Sequence, residues 1–169
     1  MENDILYDEE RIGTIFSDIQ RYLNDLEGLG IHSVQDLYDK RNFYASSMVL
    51  FSLLNRVFDL GNEMAIAHNL GIPGTYREIF VLLQKNGFIR NDLAQEMVGL
   101  VTYRNLLSHE YHGISEETLF NLTKKIASIR QFVGMMQDRI QHKKKKRTGP
   151  PGIFFKYLIS PGISLNFPS

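Results

Sequence analysis

The residues with the most evident chemistry lie together in one segment, residues 104–111, which reads Arg-Asn-Leu-Leu-Ser-His-Glu-Tyr. Arg104 offers a permanent planar cation that can hold phosphate oxygens, and His109 titrates near neutral pH and can move a proton. These are the two groups that cleavage of a phosphodiester needs when no metal takes part. The segment therefore predicts a site for phosphate chemistry.

The spacing within this segment restricts how its side chains can meet. Arg104 and Tyr111 are seven residues apart, so they lie on one face of a helix, about two turns from each other. His109 lies about 140° around the helix from Arg104. The three side chains can converge only if the helix ends or distorts near Ser108, or if a second subunit completes the site. The alternative is that Arg104 and His109 form a helix cap and a satisfied polar pair.

Apolar residues around this segment recur at spacings of three and four, which indicates helices. We predict helices at residues 8–27, about 41–69 and 75–87, a fourth that begins at Asn91, and a last long helix that begins after Ser115. Thr75 with Glu78 resembles a capping box, and Ser33 with Asp36 resembles a further helix start. Glycine and proline separate the helices at residues 28–30, 71–74 and 113. Five helices with short connections imply an all-α antiparallel bundle.

Composition sets outer limits on the function. A chain of 169 residues can bury a single core without disulfides. Nineteen basic residues balance nineteen acidic ones, so any contact with nucleic acid must use a local patch. The absence of cysteine excludes a thiol nucleophile and thiolate metal sites, and it fits a reducing compartment.

The two ends of the chain carry separate signals. The acidic start does not resemble a signal peptide, and no apolar run approaches the ~18 residues of a membrane span. We therefore expect a cytoplasmic protein that does not associate with a membrane. Composition changes at residue 143, where five basic residues precede Gly149 and Pro150. We therefore expect a helical bundle at residues 1–142 and a poorly ordered tail at residues 143–169. The basic run can bind nucleic acid, and a solvated tail is the alternative.

Arg104, Asn105, His109 and Tyr111 match the Arg-x4-His-x-Tyr motif of HepT-type toxins, which belong to the HEPN ribonuclease superfamily. The chain resembles that family in the order and spacing of its elements from about residue 5 to residue 140. The other matching features are Asn55, Arg56 and Asp59 on the second helix and Tyr76, Arg77 and Glu78 at the start of the third.

The resemblance implies a HEPN bundle that forms a homodimer, with the two Arg-x4-His segments facing each other across a cleft. Arg104 would hold the scissile phosphate, and His109 would help move the proton of the attacking ribose 2′-hydroxyl or of the leaving oxygen. Asn105 would be a second polar contact or would orient His109, with capping of the helix end as its alternative role. The implied reaction is endonucleolytic cleavage of RNA without a metal or other cofactor.

The family also implies a partner, a nucleotidyltransferase antitoxin of the MNT type that transfers AMP from ATP onto Tyr111. The added AMP would place bulk and phosphate charge beside Arg104 and silence the ribonuclease. The alternative for Tyr111 is an aromatic residue packed at a helix end. For the whole chain, the alternatives are a catalytically inert helical partner of a nucleotidyltransferase and a purely structural dimeric bundle.

The remaining polar residues predict less chemistry. Asp59 and Glu63 are one turn apart on the second helix, but no third ligand is suitably spaced, so they predict a polar edge rather than a metal site. His68 and His112 lack an acidic or histidine partner at helical spacing and predict surface or capping histidines. Three arginines can line an RNA path or be isolated surface residues: Arg41, Arg56 and Arg77.

Overall fold

The computed structural model describes residues 7–109 and 113–148, and it describes the backbone alone for residue 109 and for residues 143–148. Over these ranges the chain forms helices and no strand, so the predicted all-α bundle is confirmed. The elements are α1 (Glu9–Gly28), a short 3-10 helix (Val34–Tyr38), α2 (Lys40–Ala67), α3 (Tyr76–Lys85), α4 (Asn91–His109), α5 (Glu116–Thr123) and α6 (Ile126–Thr148).

Helix α2 is the centre of the bundle. It packs along α1 and also contacts the 3-10 helix, α3, α4, α5 and α6. Three aromatic rings show how the core is joined around it. The ring of Phe80 on α3 lies edge-on to that of Phe58 on α2, with centroids 5.4 Å apart, and to that of Phe132 on α6, at 5.6 Å. All three side chains are fully buried, so this edge-to-face cluster ties α3 to both neighbours.

The start of α3 is fixed by side chains on both sides of it. The Thr75 hydroxyl accepts a hydrogen bond from the backbone N–H of Glu78, as the predicted capping box requires. The Glu78 carboxylate accepts from the N–H of Gly74, one residue before the cap, so the reciprocal bond of the box is displaced by one position. Tyr76 is the first residue of the helix, where these two hydrogen bonds hold the backbone.

A close approach of α2 and α3 holds α3 in place. A methyl group added at Gly61 of α2 would lie 2.7 Å from Cγ2 of Ile79 on α3, which is closer than carbon atoms can pack. Glycine at residue 61 therefore allows α3 to lie directly against the backbone of α2. The position of Tyr76 depends on this contact, since Tyr76 lies on the same helix as Ile79.

The prediction of one long helix after Ser115 is wrong in one respect. The helix begins as expected, with the Ser115 hydroxyl accepting from the N–H of Thr118, but it breaks after Thr123 into α5 and α6. At the break, the N–H of Lys125 bonds to the carbonyl of Leu122 three residues earlier, and the Thr123 hydroxyl donates to the carbonyl of Phe120. The apolar spacing continues across the break, so it gave no sign of it.

The C-terminal boundary also differs from the expectation. Helix α6 continues through the basic residues 143–147 and reaches Thr148, so the predicted boundary at residue 142 falls inside a helix. Lysine and arginine are good helix formers, so the change of charge at residue 143 does not by itself end a helix. Residues 149–169 lie outside the described residues, and their assignment to a tail stays a prediction. None of the described helices has the length and apolar character that a bilayer span requires.

Candidate functional site

Arg104 occupies a core position of α4. The buried residues of this helix follow one stripe at spacings of three and four, and Arg104 falls within it, between Leu100 and Leu107. The buried members of this stripe are Leu93, Met97, Leu100 and Leu107, and Ala94 is buried beside it. The arginine is therefore directed toward α2 and α3 and is only partly exposed. A charged side chain in such a position needs partners to offset its lost hydration.

The partners of Arg104 come from three helices. Its Nε donates a hydrogen bond to Oδ1 of Asn55 on α2, at 3.0 Å. Its Nη1 lies 3.4 Å from the hydroxyl of Ser108, one turn along α4. Its Cζ lies 5.3 Å from the ring centroid of Phe51 and 4.9 Å from that of Tyr76. Both distances are within the range of a cation–π interaction, so the guanidinium is held by one amide and two aromatic rings.

The two rings and the amide are held by regular structure. Phe51, Asn55 and Phe58 follow one another on α2 at spacings of four and three, so they share one face of that helix. The ring of Tyr76 packs against that of Phe58, with centroids 5.1 Å apart. Because Phe58 is fully buried, it supports Tyr76 from the core side. The surroundings of Arg104 are thus built on helices rather than loops.

The other predicted site residues are placed less completely. Asn105 is exposed on α4, and its backbone carbonyl accepts a hydrogen bond from the Ser108 hydroxyl at 2.9 Å. His109 is the last residue of α4, and only its backbone is described. Tyr111 lies outside the described residues. The convergence of His109 and Tyr111 with Arg104 therefore stays a prediction.

Sequence reasoning identified Arg104 but did not find its contacts. Asn55 and Tyr76 entered only as parts of the family pattern, without a role, and Phe51 entered only as an apolar residue of the second helix. The available signal was the register of α4, since residues 93, 97, 100, 104 and 107 form one continuous stripe. A charged residue among the buried positions of a helix is expected to have partners that offset its lost hydration.

The acidic pair on α2 is fully engaged in ion pairs. Asp59 accepts from Nη1 of Arg56 at 3.0 Å, and Glu63 accepts from Nε of Arg11 at 2.8 Å. Arg56 also reaches Asp18 on α1 at 2.8 Å. These residues form the polar edge that was predicted, beside an open cavity of about 310 Å³ between α1 and α2. Among the side chains that the structure describes, at residues 7–108 and 113–142, we find no cluster of three or more histidines, aspartates or glutamates arranged to hold a metal.

None of the remaining predicted polar residues is among the described contacts of Arg104. Arg41 pairs with Asp39 at the start of α2, while Arg77 is exposed on α3. His68 caps the C-terminus of α2, which confirms its prediction as a capping histidine, and its Nε2 is hydrogen-bonded to the hydroxyl of Tyr7. Burial raises the pKa of Tyr7 to about 12, against a smaller opposite influence of Arg139. His112 lies outside the described residues.

Comparison with known proteins gives a consistent result. The family model described as Ribonuclease HepT-like matches residues 16–145, which include Arg104, Asn105, His109 and Tyr111. The chain is 25% identical over 116 residues to the mRNA nuclease HepT of Shewanella oneidensis, a match that covers 63% of this chain and 87% of that protein.

Solved structures share the fold. A tri-AMPylated HEPN toxin of Shewanella oneidensis, in complex with MNT antitoxin, superposes with a TM-score of 0.68 at 22% identity and covers 80% of this chain and 98% of its own. YutE of Bacillus subtilis, described as a cytosolic protein of unknown function, superposes with the same TM-score at 18% identity and covers 83% and 94%. At these identities the similarity is one of fold.

Proposed function

We propose, because this chain belongs to the HepT-like ribonuclease family, that it is the toxin of a toxin–antitoxin pair and cleaves RNA in the cytoplasm. The observation that carries the proposal is the environment of Arg104, a cation in a core register that is held by an amide and two rings. A partly buried charge loses part of its hydration, and a function for Arg104 would account for that cost. A phosphate oxygen of RNA is a ligand that matches a planar cation.

The proposed reaction needs the two residues that the motif supplies. Arg104 binds a non-bridging oxygen of the scissile phosphate and stabilises the charge that grows there. His109 accepts the proton of the ribose 2′-hydroxyl, or donates a proton to the leaving oxygen. The 2′-oxygen attacks the adjacent phosphorus, the bond to the 5′-oxygen of the next nucleotide breaks, and a 2′,3′-cyclic phosphate and a 5′-hydroxyl remain. No step uses a metal.

The site is proposed to be composite across a homodimer. On a regular helix His109 lies about 140° from Arg104, so one protomer alone does not direct both side chains to one phosphate. Two antiparallel segments across a cleft can pair the arginine of one protomer with the histidine of its partner. Asn105, which is exposed beside Arg104, is then free to contact the substrate or to orient the histidine.

Regulation is proposed to act on Tyr111. Its partner would be an MNT-type nucleotidyltransferase that uses ATP as the AMP donor, as the AMPylated toxin of Shewanella oneidensis in complex with MNT antitoxin supports. AMP on Tyr111, seven residues after Arg104 in the sequence, would bring a phosphate close to Arg104, where it competes with the phosphate of RNA.

The first test is RNA cleavage by the purified protein in the presence of EDTA. We expect cleavage by the unmodified protein and losses of about 100-fold or more in Arg104→Ala and His109→Ala, with the helical circular dichroism spectrum unchanged. Arg90→Ala removes an exposed arginine that lies outside the site and is the control. Full activity in both site variants would overturn the assignment. No cleavage by the unmodified protein, together with tight binding to a nucleotidyltransferase, would favour the inert partner instead.

A second test addresses the composite site. Arg104→Ala and His109→Ala are each inactive, but a mixed dimer of the two keeps one intact arginine and one intact histidine on opposite protomers. We expect cleavage to return when the two purified variants are mixed and allowed to exchange subunits. If the mixture stays inactive although mixed dimers form, both residues act within one protomer and the composite site is wrong.

A further inference from the structure

We propose that Asn55 is a positioning residue, which orients the guanidinium of Arg104 for phosphate binding by accepting its Nε–H. The inference rests on the proposed function, because it concerns what Arg104 does there. Asn55 lies on α2, forty-nine residues before Arg104 and outside the Arg-x4-His-x-Tyr motif.

The hydrogen bond selects one edge of the guanidinium. An arginine carries five N–H donors, of which Nε has one and each Nη has two. Asn55 takes the Nε donor at 3.0 Å, and Ser108 lies at 3.4 Å from Nη1, which is a long contact. Among the described residues, Nη2 of Arg104 has no hydrogen-bond partner. The edge formed by Nη1 and Nη2 is therefore the one left to hold two oxygens of a phosphate.

The aromatic rings restrict the remaining freedom. The Phe51 ring centroid lies 5.3 Å from Cζ of Arg104, and the Tyr76 ring centroid lies at 4.9 Å. The rings hold the cation near their faces, but a cation–π contact tolerates rotation of the guanidinium in its own plane. A directional bond to Nε is what resists that rotation. Asn55 and the two rings thus fix different degrees of freedom of the same group.

The side-chain amide of Asn55 also suits this role because it carries no charge. A carboxylate at residue 55 would accept the same hydrogen bond, but it would neutralise Arg104 and compete with the substrate phosphate. Asp59, the acidic residue one turn along α2, is already paired with Arg56. The arrangement leaves Arg104 oriented while its positive charge stays available for substrate.

The test compares Asn55→Ala with Asn55→Asp in the full-length protein. Asn62→Ala is the matched control, since Asn62 is a partly exposed asparagine two turns along the same helix. We measure kcat and KM for RNA cleavage, binding of a 2′-O-methyl RNA that cannot be cleaved, and the Nε–H resonance of Arg104 by 15N NMR. For Asn55→Ala we expect kcat to fall about tenfold or more, as expected for losing a hydrogen bond to a charged group, with loss of the protected Nε–H resonance.

Asn55→Asp separates orientation from binding. We expect it to keep the Nε–H resonance but to bind the 2′-O-methyl RNA at least about tenfold more weakly, because the carboxylate competes for the cation. If Asn55 had a merely structural role, both variants would change the thermal stability. The Nε–H resonance of Arg104 would then not distinguish Asn55→Ala from Asn55→Asp. The inference is overturned if the unmodified protein cleaves RNA and Asn55→Ala retains both kcat and the resonance. If the unmodified protein cleaves no RNA, the proposed function fails instead, and the NMR result alone reports whether Asn55 orients Arg104.

Discussion

The Cζ atom of Arg104 lies 4.9 Å from the ring centroid of Tyr76, so the first residue of α3 contacts the cation of α4. The contact joins the first residue of α3 to a residue in the buried stripe of α4. Tyr76 is held there by the Thr75 cap and by Phe58, and Arg104 is directed there by the stripe of α4. The candidate site is therefore a product of helix packing, and perturbing the packing should perturb the chemistry.

Removing the ring of Tyr76 should weaken the site without removing any group of the motif. We expect Tyr76→Ala to lower RNA cleavage several-fold to about 30-fold, because a partly desolvated cation–π contact contributes roughly 0.5–2 kcal/mol. Tyr76→Phe keeps the ring and should retain cleavage close to that of the unmodified protein. Equal losses in the two variants would assign the effect to the hydroxyl rather than to the ring. Steady-state cleavage of a labelled RNA provides the measurement.

Replacing Arg104 by methionine should separate stability from activity. Methionine fits the length of the side chain and the apolar register of α4, and replacing a charge that has lost part of its hydration by a packed apolar group is often neutral or stabilising. We expect Arg104→Met to unfold at the same temperature as the unmodified protein or a higher one, while cleavage is lost. Thermal unfolding followed by circular dichroism tests this, with Arg77→Met as the control at an exposed position. A clear decrease in the unfolding temperature would contradict the idea that folding does not need the charge.

A methyl group at Gly61 should disturb the packing of α2 against α3. The added Cβ would lie 2.7 Å from Ile79, so α3 must shift, and we expect Gly61→Ala to lower the free energy of unfolding by about 1–3 kcal/mol. Gly134→Ala is the control, because a Cβ there meets nothing within 4 Å and alanine favours a helix interior by about 1 kcal/mol. Opposite signs are expected for the two variants in urea unfolding. Similar changes in both would mean that the contact with Ile79 relaxes freely.

Alkaline pH should weaken the anchoring of Tyr7. Its pKa is raised from 10.0 to about 12 in the fold, so the fold favours the neutral phenol. The corresponding stability is fully present below pH 10 and is lost as the pH rises from about 10 to 12. We expect the free energy of unfolding to fall more steeply over this range in the unmodified protein than in Tyr7→Phe. Identical slopes would show that the phenol is not held in its neutral form.

Much of the fold could be predicted because helix starts and apolar periodicity are local signals. The N-caps Ser33, Thr75 and Ser115 lie where the sequence placed them, and α1 and α2 begin and end within two residues of the prediction. The break at Lys125 was missed because it does not interrupt the apolar spacing. Where two neighbouring turns bury the same face, periodicity cannot tell a continuous helix from an interrupted one.

The site was only partly predictable for a different reason. The motif lies within eight consecutive residues and can be recognised in the sequence, whereas Asn55 and Tyr76 reach Arg104 from two other helices. Contacts between helices depend on their relative rotation, which one sequence does not specify. The core register of Arg104 is a signal in the sequence that this residue needs partners, but a register does not identify them.

The register of Arg104 also has a consequence for how such a chain can change over generations. If Arg104→Met is as stable as predicted above, an apolar residue that packs with Leu100 and Leu107 can fill this place in α4, and the bundle does not need the arginine in order to fold. If the proposed toxicity is correct, one substitution at this position disarms the protein and leaves its outer surface and any partner contacts intact. Selection against a harmful toxin would then produce, through a single substitution, proteins that are inactive and still well folded. Arg104 would be retained only where its activity is useful.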